Sequence, residues 1–313
     1  MVRRHRTPAS PLPQRQGVDA VRLRLPADPE GRYRTVEDHL TARYGPAAGA
    51  ARIGEMVREG RFVTADGRPV TPRAPYTPGL YVFFHRDLPM EEPLPFETGV
   101  VYRDERIVVA DKPPFLATTP RGGHIARTAV AQLRDTLGLP LLQPAHRLDR
   151  LTAGLVLFVV RPADRGAYQR LFAERRVRKE YEAVAAHNPA LALPRTVRSR
   201  IEKERGVLAA YEVPGAEPNA ETRVELAVHG GGYGGYRLVP ATGRTHQLRV
   251  HMNALGLPLL YDPLYPVVAP KAPDDYRRPL QLLAKVLEFT DPLTGAAHRF
   301  SSAQRLARWP VPA

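Results

Sequence analysis

The chain has 313 residues, 43% of them hydrophobic, and its 46 basic against 32 acidic side chains give a net charge of +14. Such an apolar share excludes a wholly disordered chain, and the length suits one large domain with a smaller one. With no cysteine, disulfides and any disulfide-linked partner, iron–sulfur clusters, thiol catalysis and Cys-built zinc sites are excluded.

The N-terminus, MVRRHRTPASPLPQRQG, lacks the apolar core of a signal peptide and reads as a flexible basic arm over 1–30. A small α+β domain is expected over 31–87. Within it, TVEDHLTARYG predicts a helix ending at Gly45, and ARIGEMVREG a second one ending at Gly60. RFVTADGRPVTP predicts a hairpin about Asp66-Gly67, and LYVFFHR one more strand. The proline-rich LPMEEPLPFETG, 88–99, reads as a linker to a large domain over 100–313.

In that large domain GVVYRDERIVVADKP predicts two strands. IARTAVAQLRDTLG spaces Ile125, Ala129, Leu133 and Leu137 by four and stops at Gly138, the pattern of an amphipathic helix. GLVLFVV reads as a strand buried on both sides. DRGAYQRLFAERR is helical. VRKEYEAVA alternates, with Val177, Lys179, Tyr181, Ala183 and Ala185 on one face and Arg178, Glu180 and Glu182 on the outward one. ETRVELAVH and YRLVPATG are strands joined at Gly230–Gly235. That glycine run lacks the Lys-Ser/Thr ending of a phosphate loop and is read as a hairpin tip. RTHQLRVHMNALG predicts a helix capped by Thr245 and stopped at Gly256. QLLAKVLEFTD and HRFSS are closing strands. No stretch approaches ~20 apolar residues, so no membrane helix is expected.

In PAHRLDRLTAGLVLF, Asp149 stands between Arg147 and Arg150 at the lip of the apolar run. Flanking guanidiniums favour a charged carboxylate, suited to act as nucleophile or base, although a structural ion pair would read the same. His246 and His251 are five apart, not the four of a helical metal pair, and no third ligand cluster accompanies them. A GxSxG elbow is missing, and no second carboxylate is framed as a retaining glycosidase needs. The positive charge points to a polyanion, although an arginine-rich, proline-rich composition also suits a high-GC genome. The parts left are one framed carboxylate, an inward tyrosine and many arginines. They suit attack at a nucleoside's sugar carbon, with the base drawn out of its stack.

HRLDRLTAG, RVRKEYEAV, TGRTHQLRVHMNALGLPLLYDPLY and LQLLAKVLEFTDPLTG, in this order, resemble the RluA-type RNA pseudouridine synthases over about Val100 to Trp309. The resemblance implies an α+β fold with a mixed, mostly antiparallel central sheet, flanking helices and a central cleft. It also implies isomerisation of uridine to pseudouridine in rRNA or tRNA, without metal or cofactor, by a cytoplasmic monomer. By motif, Asp149 is the catalytic aspartate, Tyr181 lies against the base and assists the proton step at C5, and Arg249 pairs with Asp149. Arg147 helps displace the target nucleotide and Leu282 lines the base pocket. Lys179, Arg244 and His246, in the same motifs, are expected to bind RNA. The chain departs from the family at Ala153, where serine is usual, and at Tyr261 and Leu283. Thr35 to Arg86 resembles an S4 RNA-binding domain in the order of its elements, with a weak basic pair at Ala51-Arg52. A binding protein without activity, or a nucleoside hydrolase, would share many of these features.

Overall fold

The computed structural model describes residues 7–87, 94–120, 124–270 and 274–311. The chain divides into two compact units, Met1–Met90 and Glu91–Ala313. Residues 1–6 of the expected arm and 88–93 of the expected linker lie outside the described residues.

The first unit runs β1 (Val21–Arg24), α1 (Val36–Ala48), α2 (Ala50–Arg58), β2 (Val63–Thr64) and β3 (Tyr81–Phe84), with an antiparallel sheet in the order β1-β3-β2. Strand β1 falls inside the stretch expected as a flexible arm. Its Leu23 turns inward while Arg22 and Arg24 turn out, and that alternation seats it against β3. Thr35 and Asp38 cap α1 reciprocally. The helix passes through Gly45, which stays helical, and ends at Gly49, whose φ of +89° suits glycine. The Asp66-Gly67 turn forms as expected, with Gly67 at φ +81°. Leu40, Ile53, Val57, Phe62 and Phe84 share one core.

The second unit contains β4 (Gly99–Arg103), β5 (Ile107–Lys112), α3 (Ala129–Leu137), β6 (Gln143–Pro144), β7 (Ala153–Val159), α4 (Arg165–Ala173), β8 (Arg178–Ala186) and β9 (Arg195–Ser199). There follow β10 (Ile201–Glu202), β11 (Tyr211–Glu212), β12 (Ala220–Gly230), β13 (Tyr233–Pro240), α5 (Gln247–Ala254), β14 (Leu282–Thr290) and β15 (Ala297–Ser301). Ten strands form one sheet along β4-β5-β7-β14-β8-β13-β12-β9, with β6 on β7 and β15 on β14. Every pair in it is antiparallel except β7 with β14. The fold is therefore the mixed, mostly antiparallel α+β architecture expected.

Strands β5 and β7 are covered on both faces. Ile107, Val109, Leu155 and Leu157 pack with Tyr168 and Leu171 of α4, while Val108, Val156 and Phe158 pack with Ala129 and Leu133 of α3. Two covered faces explain the unbroken apolar run of β7, and each such side chain contributes ~1.5–3 kcal/mol. Helix α5 sets Leu248 and Met252 against Ala183, Ala185, Tyr236 and Leu238. It begins at Gln247, not at a Thr245 cap. His246 precedes it in a left-handed conformation, and the Gln247 side chain accepts from the Arg244 N–H at 3.0 Å to close the turn. Val177 joins the α4 side of the sheet, opposite to Tyr181, because it stands just before β8.

Candidate active site

The loop between β6 and β7 carries Arg147, Asp149 and Arg150, and it is fastened from below. Thr118 donates its hydroxyl to the Leu148 carbonyl at 3.0 Å and accepts from the Leu148 N–H at 3.2 Å. Lys112 at the end of β5 is fully buried and donates to the carbonyls of Pro113 (2.9 Å), Leu116 (2.8 Å) and Arg150 (3.3 Å). Burial brings the Lys112 pKa down to about 7, with Asp149 acting against that fall. Past the loop the second residue of β7 is Gly154, whose φ is +111° and where a Cβ would sit 2.3 Å from the Ala284 carbonyl. Only glycine permits that approach of β7 to β14, which gives the T-x-G of the sequence its physical reason.

The two arginines beside Asp149 do not both face it. Arg150 turns away into a two-pronged pair with Asp274, at 2.6 and 3.0 Å. Arg147 is exposed and makes no ion pair among the described residues. The cation that faces Asp149 is Arg249 on α5, with Nη1 4.0 Å from the carboxylate. Arg249 has a closer partner than Asp149. It is 2% exposed and donates through Nε (2.7 Å) and Nη2 (2.6 Å) to both oxygens of buried Asp262. Burial works against its charge, but hydrogen bonding and attraction to Asp262 raise its pKa on balance. Asp262 also accepts the Leu264 N–H at 2.9 Å, so its capacity is largely used. The Asp149 side chain, 26% exposed, accepts no hydrogen bond from a described residue and remains available.

Tyr181 reaches the same place from β8, where it sits opposite Ala284 of β14 and Leu238 of β13. Burial, then Asp149, push its phenol well above the ordinary range, so it stays protonated. Leu282 of β14 is 3% exposed. Lys179 donates to the Thr242 carbonyl at 3.0 Å, and burial, helped by Arg175, brings its pKa down to about 8. Arg244 donates to the Asn219 carbonyl at 3.2 Å. His246 sets Nδ1 3.0 Å from the Tyr265 hydroxyl. All eight residues expected from the sequence (Arg147, Asp149, Lys179, Tyr181, Arg244, His246, Arg249 and Leu282) line one cavity open to solvent.

His251 does not join them. It lies fully buried between Thr222 (2.9 Å) and Ser199 (3.1 Å), tying α5 to β12 and β9. Lys112, Asp262 and Tyr265 are not among the site residues expected from the sequence. Lys112 lies in IVVADKP, and the other two in LYDPLY, thirteen and sixteen residues beyond Arg249.

A family model described as RNA pseudouridylate synthase matches residues 106–254. The dual-specificity RNA pseudouridine synthase RluA of Pasteurella multocida is 34% identical over 217 residues, which are 65% of this chain and 91% of that protein. The chain belongs to the RluA-type RNA pseudouridine synthases. The RluA protein of Haemophilus influenzae, 31% identical, matches this synthase over 67% of its chain and 94% of the relative. Ribosomal large subunit pseudouridine synthase D of Pseudomonas aeruginosa is 28% identical across 85% of this chain and 87% of its own. Among solved structures, human RNA pseudouridylate synthase domain containing 1 superposes with a TM-score of 0.55 at 26% identity, covering 69% of this chain and 86% of that one.

Proposed function

We propose that this RNA pseudouridine synthase, an isomerase of uridine in RNA, works on structured ribosomal or transfer RNA with Asp149 as its catalytic carboxylate. The observation that carries the assignment is the uncommitted Asp149 carboxylate, in one cavity with Tyr181 and the buried Arg249. The other acidic groups close by are engaged, Asp262 by Arg249 and Asp274 by Arg150.

The reaction moves one bond and one proton. The N1–C1′ bond breaks, the freed uracil turns, C5 bonds to C1′, and the C5 hydrogen leaves as N1 gains one. Asp149 acts at the sugar. Arg249, fixed by Asp262, holds a positive charge beside that carboxylate as the base departs. Tyr181 packs along the uracil and assists proton removal at C5. Exposed Arg147, with Lys179 and Arg244 at the rim, holds phosphates while the nucleotide is everted.

We further read the first unit as an S4-like RNA-binding domain. Two helices followed by the Asp66-Gly67 turn and the antiparallel pair of β2 and β3 support this reading. The synthase D match reaches into this unit: residues 91–313 are 223 of 313 residues, about 71%, and a match over 85% extends beyond them. We place the enzyme in the cytoplasm as a monomer, on the family's pattern. No helix among the described residues is long and apolar enough to cross a membrane.

The test is release of tritium from RNA labelled at uridine C5, using rRNA and tRNA pools. Release by the native protein and none by Asp149→Asn supports the proposal. Free uracil would make the protein a hydrolase, and no release from either pool would leave it a binding protein.

A further inference from the structure

His246 stands at the mouth of α5 with φ +57° and its ring half-buried. Its Nδ1 is 3.0 Å from the Tyr265 hydroxyl. That hydroxyl also accepts from the Ala210 N–H at 2.9 Å and lies 2.8 Å from the Ala210 carbonyl. It has a single proton to donate. Ala210 is 2% exposed, and among the described residues no other hydrogen bond to its carbonyl is made. Leaving that buried carbonyl without a donor is the costlier arrangement, so the hydroxyl gives its proton to Ala210. His246 must then donate Nδ1–H to Tyr265, which leaves Nε2 of the neutral ring as a bare acceptor.

Nε2 makes no hydrogen bond to a described residue, yet it is not among the buried polar atoms lacking a partner. It is therefore accessible, and His246 lines the cavity together with Asp149 and Arg249. Burial keeps the imidazole pKa below its ordinary value, with Asp149 pulling the other way. The Tyr265 ring lies 5.3 Å from the Arg249 guanidinium, and Arg249 lies 4.0 Å from Asp149. His246 and the Asp149 carboxylate thus border one cavity. Uridine in RNA has two hydrogens to donate, N3–H on the base and the 2′-hydroxyl on the sugar. The group next to the carboxylate that attacks the sugar meets the sugar.

We propose that His246 Nε2 accepts a hydrogen bond from the 2′-hydroxyl of the everted uridine and so distinguishes ribose from deoxyribose at the target. The inference rests on the reading of Asp149 as acting at that sugar. One neutral hydrogen bond corresponds to roughly threefold to tenfold in kcat/KM.

The test takes an RNA that the enzyme modifies and remakes it with uridine or 2′-deoxyuridine at the target. For the native enzyme the deoxy substitution lowers kcat/KM roughly threefold to tenfold. For His246→Asn, whose amide can still donate to Tyr265, it lowers kcat/KM no further. Equal losses in both proteins would overturn the proposal, as would unchanged activity of His246→Asn on the uridine RNA. A second measurement needs no turnover. Long-range proton–nitrogen spectra of histidine-labelled protein, with His246 assigned by its loss in His246→Asn, show the Nδ1-protonated ring. An Nε2-protonated ring would defeat the proposal whatever the activity. If that tautomer is present and no RNA is turned over, the uridine reading itself fails and the 2′-hydroxyl contact falls with it.

Discussion

Gly154→Ala tests how the catalytic loop is seated. The added methyl would stand 2.3 Å from the Ala284 carbonyl oxygen and 2.7 Å from its nitrogen, both backbone atoms that no rotamer can relieve. The backbone there is at φ +111°, a region costing a side chain-bearing residue about 1–3 kcal/mol. Forcing the methyl into a packed site adds another ~1–3 kcal/mol. Strands β7 and β14 are joined by two parallel pairs, Leu283 with Ala153 and Ala284 with Gly154, so the strain cannot be shared along a longer ladder. A total of about 2–6 kcal/mol lowers the Tm of the 91–313 unit by roughly 5–20 °C. Asp149 is five residues upstream and Leu282 two residues before Ala284, so separation of the strands shifts both walls of the cavity. A displacement of ~1 Å can cost on the order of a hundredfold in rate. Calorimetry gives the first quantity, and tritium release at a temperature where both proteins are folded gives the second. A Tm within about 2 °C of the native protein, with normal turnover, would refute this account of the T-x-G motif.

Asp149→Asn should abolish tritium release while leaving Tm within about 2 °C, because the carboxylate supports no hydrogen bond among the described residues; calorimetry beside the activity assay checks both. Removing one partner of the buried Arg249–Asp262 pair, as Asp262→Leu or Arg249→Met, should cost about 3–5 kcal/mol in urea unfolding. The double replacement should recover most of that stability and still show no activity, since Asp149 has then lost its facing cation. His251 gives an acid-side prediction. Its folded pKa is about 4, lowered from 6.5 by burial, so between these values the unfolded chain binds a proton that the folded chain does not. Stability is complete above pH 6.5 and falls by roughly 3 kcal/mol as pH drops to 4. His251→Gln should flatten that slope in urea titrations at pH 5 and 7. Lys179, with a pKa of about 8, loses its charge as pH rises through that value, so RNA affinity should weaken there more in the native protein than in Lys179→Met.

The residues that touch the cavity were readable because each sits in a short motif whose local chemistry is unusual. Asp149 comes just before an apolar run that must be a strand, Tyr181 shares a face with small apolar residues, and the THQLR segment opens a helix. Their convergence could be inferred from resemblance but not from spacing. Partner choice was harder to read. Neighbours in sequence suggested that Arg147 and Arg150 hold Asp149, yet Arg150 reaches 124 residues onward to Asp274. Arg249 faces Asp149, and the sequence does not show that Asp262 grips it more closely, because the turn after α5 folds back beneath the guanidinium. Nothing in the sequence around Lys112 shows that it is fully buried and bonded to the carbonyl of Arg150 in the catalytic loop.

By itself the sequence determined most of the elements, the buried central strand, and the set of groups available for chemistry. Those follow from periodicity, sterics and residue type, which act over a few positions. Tertiary structure alone decided which carboxylate stays free, which cation faces it, and which ring nitrogen of His246 is left bare. Each depends on hydrogen-bond partners brought together from strands far apart in the chain, and a donor or acceptor already satisfied by one neighbour is not available to another.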